Sequence, residues 1–164
     1  MVYFITGGAS SGKSLYAEGL FGGFGSTRIY LATMENIGAP EQKIVDKHRH
    51  QREHLGFTTI EISRDIGSSE IPGGADVLVE DLSNLVANEF FGGGDISRVV
   101  SGLQAVAQKA DNTVIVGNEI FSGGFLYDEE TRAYLALMGR ISCEIAAFSD
   151  RVITMKAGLP WVFK

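Results

Sequence analysis

The stretch that decides the fold is Gly7-Gly8-Ala9-Ser10-Ser11-Gly12-Lys13-Ser14, G-G-A-S-S-G-K-S. It matches G-x-x-x-x-G-K-[ST] at Gly7, Gly12, Lys13 and Ser14, and each matched position has a chemical reason. The glycines let backbone N–H groups curl inward around phosphate oxygens. Lys13 brings a compact positive charge to the β- and γ-phosphates, and Ser14 offers a hydroxyl to Mg2+. The flanks agree. Residues 2–6 (V-Y-F-I-T) form a short apolar run that reads as a buried strand, and residues 13–20 read as a helix closed by Gly22-Gly23. Strand, glycine loop and helix in that order aim a helix N-terminus at an anion. Gly7 to Ser14 are therefore the expected nucleotide-binding loop.

Outward from the loop, strands and helices alternate. Residues 28–33 (R-I-Y-L-A-T), 57–62 (F-T-T-I-E-I), 75–80 (A-D-V-L-V-E) and 113–117 (T-V-I-V-G) read as strands. Residues 40–54, 83–91, 96–110 and 128–149 read as helices, the second and third separated by Gly92-Gly93-Gly94. The longest carries an apolar stripe at Leu135, Met138, Ile141, Ile145 and Phe148. Residues 151–155 and 159–163 flank Ala157-Gly158 as a hairpin. The expected fold is a P-loop α/β domain spanning residues 1–164, three-layered α/β/α, with a mostly parallel sheet and an antiparallel C-terminal edge.

Composition narrows the function classes. The 164 residues carry 14 Lys and Arg against 20 Asp and Glu, a net charge of -6, which argues against nucleic acid as the main partner. Hydrophobic residues at 45% and charged residues at 21% fit a globular chain. No apolar run approaches the roughly 20 residues of a membrane span, and the N-terminus lacks the features of a signal peptide. The lone Cys143 permits no intrachain disulfide, which fits a reducing compartment. A cytoplasmic location is expected. A guanine-reading switch would carry N-K-x-D after a late strand, whereas Asn118-Glu119-Ile120-Phe121 follows the one here.

Two further clusters bear chemistry. Glu80 and Asp81 end the strand at 75–80, where a carboxylate would complete a Mg2+ site, and the residues alone leave open which one faces the metal. Lys43, Lys47, Arg49 and Arg52 place a positive island on the helix at 40–54, together with His48, His50 and His54, all the histidines of the chain. Three readings of this helix stand side by side. It is a solvated face; or Asp46, His50 and His54, at i, i+4 and i+8, hold a metal; or a neutral imidazole attacks phosphorus and forms a phosphoramidate. Helical phase turns His48 inward with Ile44 and Val45, and turns His50 and His54 toward the polar side.

With these residues in view, the chain resembles the bifunctional adenosylcobinamide kinase / adenosylcobinamide-phosphate guanylyltransferases of cobalamin synthesis. The resemblance rests on I-T-G-G-A-S-S-G-K-S, on Y-L-A-T at residues 30–33, and on I-V-D-K-H-R-H-Q-R at residues 44–52. It rests also on V-L-V-E-D-L-S-N-L-V-A-N-E at residues 77–89, V-G-N-E-I at residues 116–120 and G-R-I at residues 139–141. The blocks span nearly the whole chain, and the H-R-x-x-R and E-x-x-S-N-L-V-A-N-E blocks are the narrow ones. The resemblance implies that ATP or GTP phosphorylates adenosylcobinamide, and that GTP then donates GMP to adenosylcobinamide phosphate through a covalent histidine. It implies His48 as that histidine, with His48 and Lys13 catalytic. Further nucleotide contacts are implied at Ala32, Thr33, Met34, Arg49, His50, Gln51, Arg52, Glu61 and Glu80, with Ser14 and Glu80 toward Mg2+, and a homotrimer is implied as the assembly. Ser10 stands where many members carry Arg, Asp81 where Cys is common, and residues 35–40 match poorly. The alternative is a small-molecule P-loop kinase in which His48 is structural.

Overall fold

A computed structural model describes residues 1–25, 27–35, 55–121, 123 and 126–164. Seven strands form one sheet: β1 (Val2–Gly7), β2 (Arg28–Ala32), β3 (Phe57–Glu61), β4 (Asp76–Glu80), β5 (Asn112–Val116), β6 (Arg151–Lys156) and β7 (Leu159–Val162). The described helices are α1 (Lys13–Leu20), α2 (Leu82–Phe91), α3 (Ser97–Lys109) and α4 (Glu129–Phe148). The strand order is β3-β2-β4-β5-β1-β6-β7, parallel throughout except for the antiparallel β6–β7 pair. The mostly parallel sheet with an antiparallel edge is thus as expected. Each expected strand is present with ends shifted by no more than a residue or two. The expected helix at 40–54 lies outside the described residues.

Successive residues of a strand point to opposite faces, and the buried strands divide accordingly. Phe4, Ile29, Leu31, Val77, Val79 and Ile115 face a core completed by Leu85 and Val86 of α2, Leu103 and Val106 of α3, and Met138, Ile141 and Ile145 of α4. Ile5, Tyr30, Leu78, Val114, Val116 and Ile153 face the other core, closed by Ala17 of α1 and by Phe21. Strands apolar on both faces are what a parallel sheet covered on both sides requires. Three of the five residues expected as the α4 stripe, Met138, Ile141 and Ile145, are fully buried.

Side chains fix where two helices start. Asp81 Oδ1 accepts from the Asn84 amide at 2.7 Å at the head of α2, and Asp128 Oδ1 accepts from the Thr131 amide at 2.7 Å at the head of α4. These N-cap bonds satisfy orphan amides of the first turn. They explain why α2 begins directly after the Glu80-Asp81 pair. At the opposite edge Ala157 (φ 51°) and Gly158 (φ 79°) form the β6–β7 turn with two positive φ angles, the geometry that suits the twist of a two-residue hairpin.

Candidate active site

Parallel strands bring their last residues to one rim of the sheet, where ligands of open α/β folds bind. Across that rim the register runs Ile5, Val116, Glu80, Ala32, Glu61, each paired with the next. Gly7, two residues beyond Ile5, opens the glycine loop. Its φ is 150°, and a Cβ there would sit 2.5 Å from the Met155 carbonyl oxygen and 2.7 Å from Ser11 Oγ, so no side chain fits. The β6–β7 turn braces the loop from the same side: the Gly158 amide donates to the Ser11 carbonyl at 3.1 Å.

Within the loop Lys13 is buried, and its Nζ donates to the Gly8 carbonyl at 2.8 Å. Burial pulls its pKa below the ordinary lysine value, while the negative charges of Asp81 and then Glu80 oppose that pull. Among the described residues the buried Ser11 hydroxyl has no hydrogen-bond partner. A buried polar atom left unsatisfied in a loop of this shape fits a site completed by ligand oxygens. The first turn of α1 carries no acidic residue, so the positive end of its dipole faces the loop unopposed by its own side chains.

Ser14 at the start of α1 donates its hydroxyl hydrogen bond to Glu80 Oε1, and Tyr30 OH donates to Glu80 Oε2 at 3.2 Å. The choice between Glu80 and Asp81 that the residues left open is thereby divided into two roles. Glu80 faces the loop, while Asp81 turns to α2. Asp81 Oδ1 takes Ser83 Oγ and the Asn84 amide, both at 2.7 Å, and Asp81 Oδ2 takes Asn118 Nδ2 at 2.9 Å. A hydroxyl beside a carboxylate is a set of hard oxygen donors, the kind that Mg2+ accepts alongside phosphate oxygens and water.

The neighbouring strand ends are strapped to this pair. Thr33 is fully buried; its Oγ1 donates to the Asp81 carbonyl at 2.7 Å and its amide to the Glu80 carbonyl at 3.2 Å. Asn88 Nδ2 of α2 donates to the carbonyls of Thr33 at 2.7 Å and Ser63 at 3.0 Å, tying the ends of β2 and β3 together. Ala32 is half-buried on the rim, while Met34 and Glu61 are exposed. The geometry joins the glycine loop to Glu80 through Ser14 and ties Thr33 to Glu80 and Asp81, with Ala32 beside Glu80 in the sheet; Glu61 ends edge strand β3, with β2, β4 and β5 between it and the loop strand β1. His48, Arg49, His50, Gln51 and Arg52 lie outside the described residues, as do Asp46 and His54 of the metal reading.

Sequence reasoning named no role for Tyr30, Asn88 or Asn118. Asn118 had a visible signal, a polar residue directly after the buried strand at 113–117, and Asp81-Leu82-Ser83-Asn84 had the spacing of a helix cap. Tyr30 gave none, since an aromatic residue inside a strand reads as core.

The comparisons with known proteins agree with the resemblance. The family model described as cobinamide kinase / cobinamide phosphate guanyltransferase matches residues 3–163. The bifunctional adenosylcobalamin biosynthesis protein CobU of Escherichia coli (strain K12) is 29% identical over 184 residues, covering 97% of each chain. The protein of the same name from Salmonella typhimurium (strain LT2) is 25% identical over 178 residues, again covering 97% of each. Among solved structures, an ATPase from the type III secretion system of pathogenic bacteria superposes with a TM-score of 0.53 at 12% identity over 93% of this chain. The chain spans about half the length of that ATPase, and the likeness shows the fold alone. A matching family model across nearly the full length, two relatives matched end to end and a phosphate-loop geometry lead to one assignment: the chain belongs to the cobinamide kinase / cobinamide phosphate guanyltransferase family.

Proposed function

We propose that this chain catalyses both reactions of its family at the rim described above. The observation that carries the reading is the meeting of Lys13, Ser14 and Glu80 beneath a glycine loop that no side chain at Gly7 could share. In the first reaction the acceptor hydroxyl of adenosylcobinamide attacks the γ-phosphorus of ATP or GTP. A new P–O bond forms, the bond to the β-phosphate oxygen breaks, and the hydroxyl proton leaves to solvent. The loop amides and Lys13 hold the charge on the phosphates, which is the largest share of the work in such a transfer. Ser14 and Glu80 would hold Mg2+, which when bound neutralises charge on the bridging phosphate oxygens.

In the second reaction an imidazole nitrogen of His48 attacks the α-phosphorus of GTP. An N–P bond forms and pyrophosphate departs. A phosphate oxygen of adenosylcobinamide phosphate then attacks the same phosphorus, the N–P bond breaks and GMP is transferred. Covalent catalysis of this kind splits one displacement into two. Arg49 and Arg52 follow His48 by one and four positions and suit the departing pyrophosphate, and His50 and Gln51 complete that block. Ala32, Met34 and Glu61 would line the nucleotide's outer side. Thr33, with its polar groups engaged inside the protein, would act by fixing Met34 and Glu80.

A homotrimer in the cytoplasm is part of the same reading. No described helix is long and apolar enough to cross a membrane. Leu159, Trp161, Val162 and Phe163, exposed along edge strand β7, support association between copies.

Incubation of the chain with adenosylcobinamide, Mg2+ and ATP or GTP, followed by chromatography of the corrinoid, tests the reading. Adenosylcobinamide phosphate with either nucleotide and adenosylcobinamide-GDP with GTP are expected. Phosphate without GDP product would leave the kinase alone, with His48 structural.

A further inference from the structure

Asn118 reaches across two strands of the rim at once. It follows β5, which lies between β1, the strand of the glycine loop, and β4, the strand of Glu80. On one side the Gly117 amide donates to the Ile5 carbonyl and the Glu119 amide to the Gly7 carbonyl, each at 2.9 Å. On the other, Asn118 Nδ2 donates to Asp81 Oδ2 at 2.9 Å and to Ser83 Oγ at 2.8 Å. The Ser83 hydroxyl in turn donates to Asp81 Oδ1 at 2.7 Å. Asn118 Nδ2, the Ser83 hydroxyl and the two carboxylate oxygens of Asp81 form a closed triangle of hydrogen bonds.

This triangle stands one peptide away from Glu80, and its third corner is anchored through the backbone to the strand that carries Gly7. The separation between the loop and the Glu80 carboxylate is therefore set twice. Ser14 sets it directly, and residues 117–119 set it from behind. A carboxylate that must meet a metal and a hydroxyl at short range gains from such support, because outer partners orient the ligands that make contact. Only an amide of this length both stays neutral beside Asp81 and supplies two N–H donors to one triangle.

We propose that Asn118 is a positioning residue that couples the glycine loop to the Glu80 carboxylate, so that Mg2+ and nucleotide bind cooperatively. It touches neither substrate nor metal. The inference rests on the nucleotide-binding reading above and deepens it. Its signature is a coupling rather than a loss of binding: the affinity for GTP without Mg2+ depends on the loop and Lys13, whereas the gain on adding Mg2+ depends on where Glu80 stands.

The test is calorimetric titration of the whole chain with GTP, in Mg2+ and in its absence, for the parent and for Asn118→Ala. The expected result is a Mg2+-free affinity within about twofold of the parent and a Mg2+-dependent gain reduced by roughly tenfold, the low end for a lost outer partner of a metal ligand, since Asn118 acts on Glu80 through the adjacent Asp81. Ser83→Ala should lower the same gain, and the double variant should lose no more than the larger single effect, because the two act through one network. Should Asn118→Ala fail to fold, Ser83→Ala and Asn118→Ser carry the test. An unchanged Mg2+ gain in the folded variants overturns the inference while leaving the nucleotide reading in place. A parent chain that binds no GTP under either condition overturns both.

Discussion

Ser14 and Glu80 are 66 residues apart in the chain, yet the Ser14 hydroxyl donates directly to the Glu80 carboxylate. One sits at the head of α1, the helix that follows β1, and the other at the end of β4, with β5 lying between those two strands. Tyr30 from β2 holds the second oxygen of the same carboxylate. Elements β4, α1 and β2 thus converge on one carboxylate.

Replacing that carboxylate with its neutral isostere should uncouple metal from nucleotide. Glu80→Gln is expected to raise the Mg2+ concentration for half-maximal kinase activity by roughly 10- to 100-fold. Tyr30→Phe removes one hydrogen bond and should cost about 1 kcal/mol of the same effect. Mg2+ titrations of activity check both, and an unchanged Mg2+ requirement in Glu80→Gln would contradict the assignment.

Lys13 is the buried cation of the glycine loop, the charge proposed to meet phosphate. Lys13→Ala should weaken nucleotide binding by roughly 10- to 100-fold, the scale of a lost charge-assisted hydrogen bond. Equilibrium binding of GTP to the folded variant measures it. Equal affinity would remove the loop from the site.

Gly7 leaves no room for a methyl group, with the Met155 carbonyl oxygen 2.5 Å from where its Cβ would stand. Gly7→Ala should lower stability by about 1–3 kcal/mol through overpacking and backbone strain, and should weaken nucleotide binding with it. Denaturant unfolding with GTP binding on the same sample tests the pairing of the two effects.

Tyr134 donates its hydroxyl to the Ser83 carbonyl at 3.0 Å, and burial, with Asp81 as the lesser cause, pushes its pKa up to about 12. The unfolded phenol ionises near 10. The folded state therefore binds that proton more tightly, so its contribution to stability is complete below about pH 10 and is lost as pH rises toward the folded value. Absorbance titration should show a phenol ionisation with a pKa of about 12, and Tyr134→Phe should delete that step.

Most of the fold was legible because its signals are local. The glycine loop, the short apolar strands and the capped helices are each written in neighbouring residues, and alternation of strand and helix leaves few sheet arrangements. Strand order is not local. Nothing within residues 112–116 says that β5 lies between β1 and β4, so the bond from Asn118 to Asp81, 37 residues away, could not be read beforehand. The bracing of Gly7 by Met155 and of Ser11 by Gly158 was hidden for the same reason. The separate partners of Glu80 and Asp81 were not read from the sequence. Asp81-Leu82-Ser83-Asn84 carries a helix-cap spacing, and the cap bond from the Asn84 amide is the local part of that arrangement.

The claim on which the two-step account turns is that His48 carries GMP. Incubation with GTP labelled at the α-phosphate, followed by mass spectrometry of the peptide containing His48, tests it most directly. The account predicts a GMP adduct on that peptide, labile in acid, stable in base, and absent from His48→Ala, which should remain folded yet make no adenosylcobinamide-GDP. A parent chain that forms adenosylcobinamide-GDP with no adduct, or a His48→Ala variant that forms it at the parent rate, would contradict it.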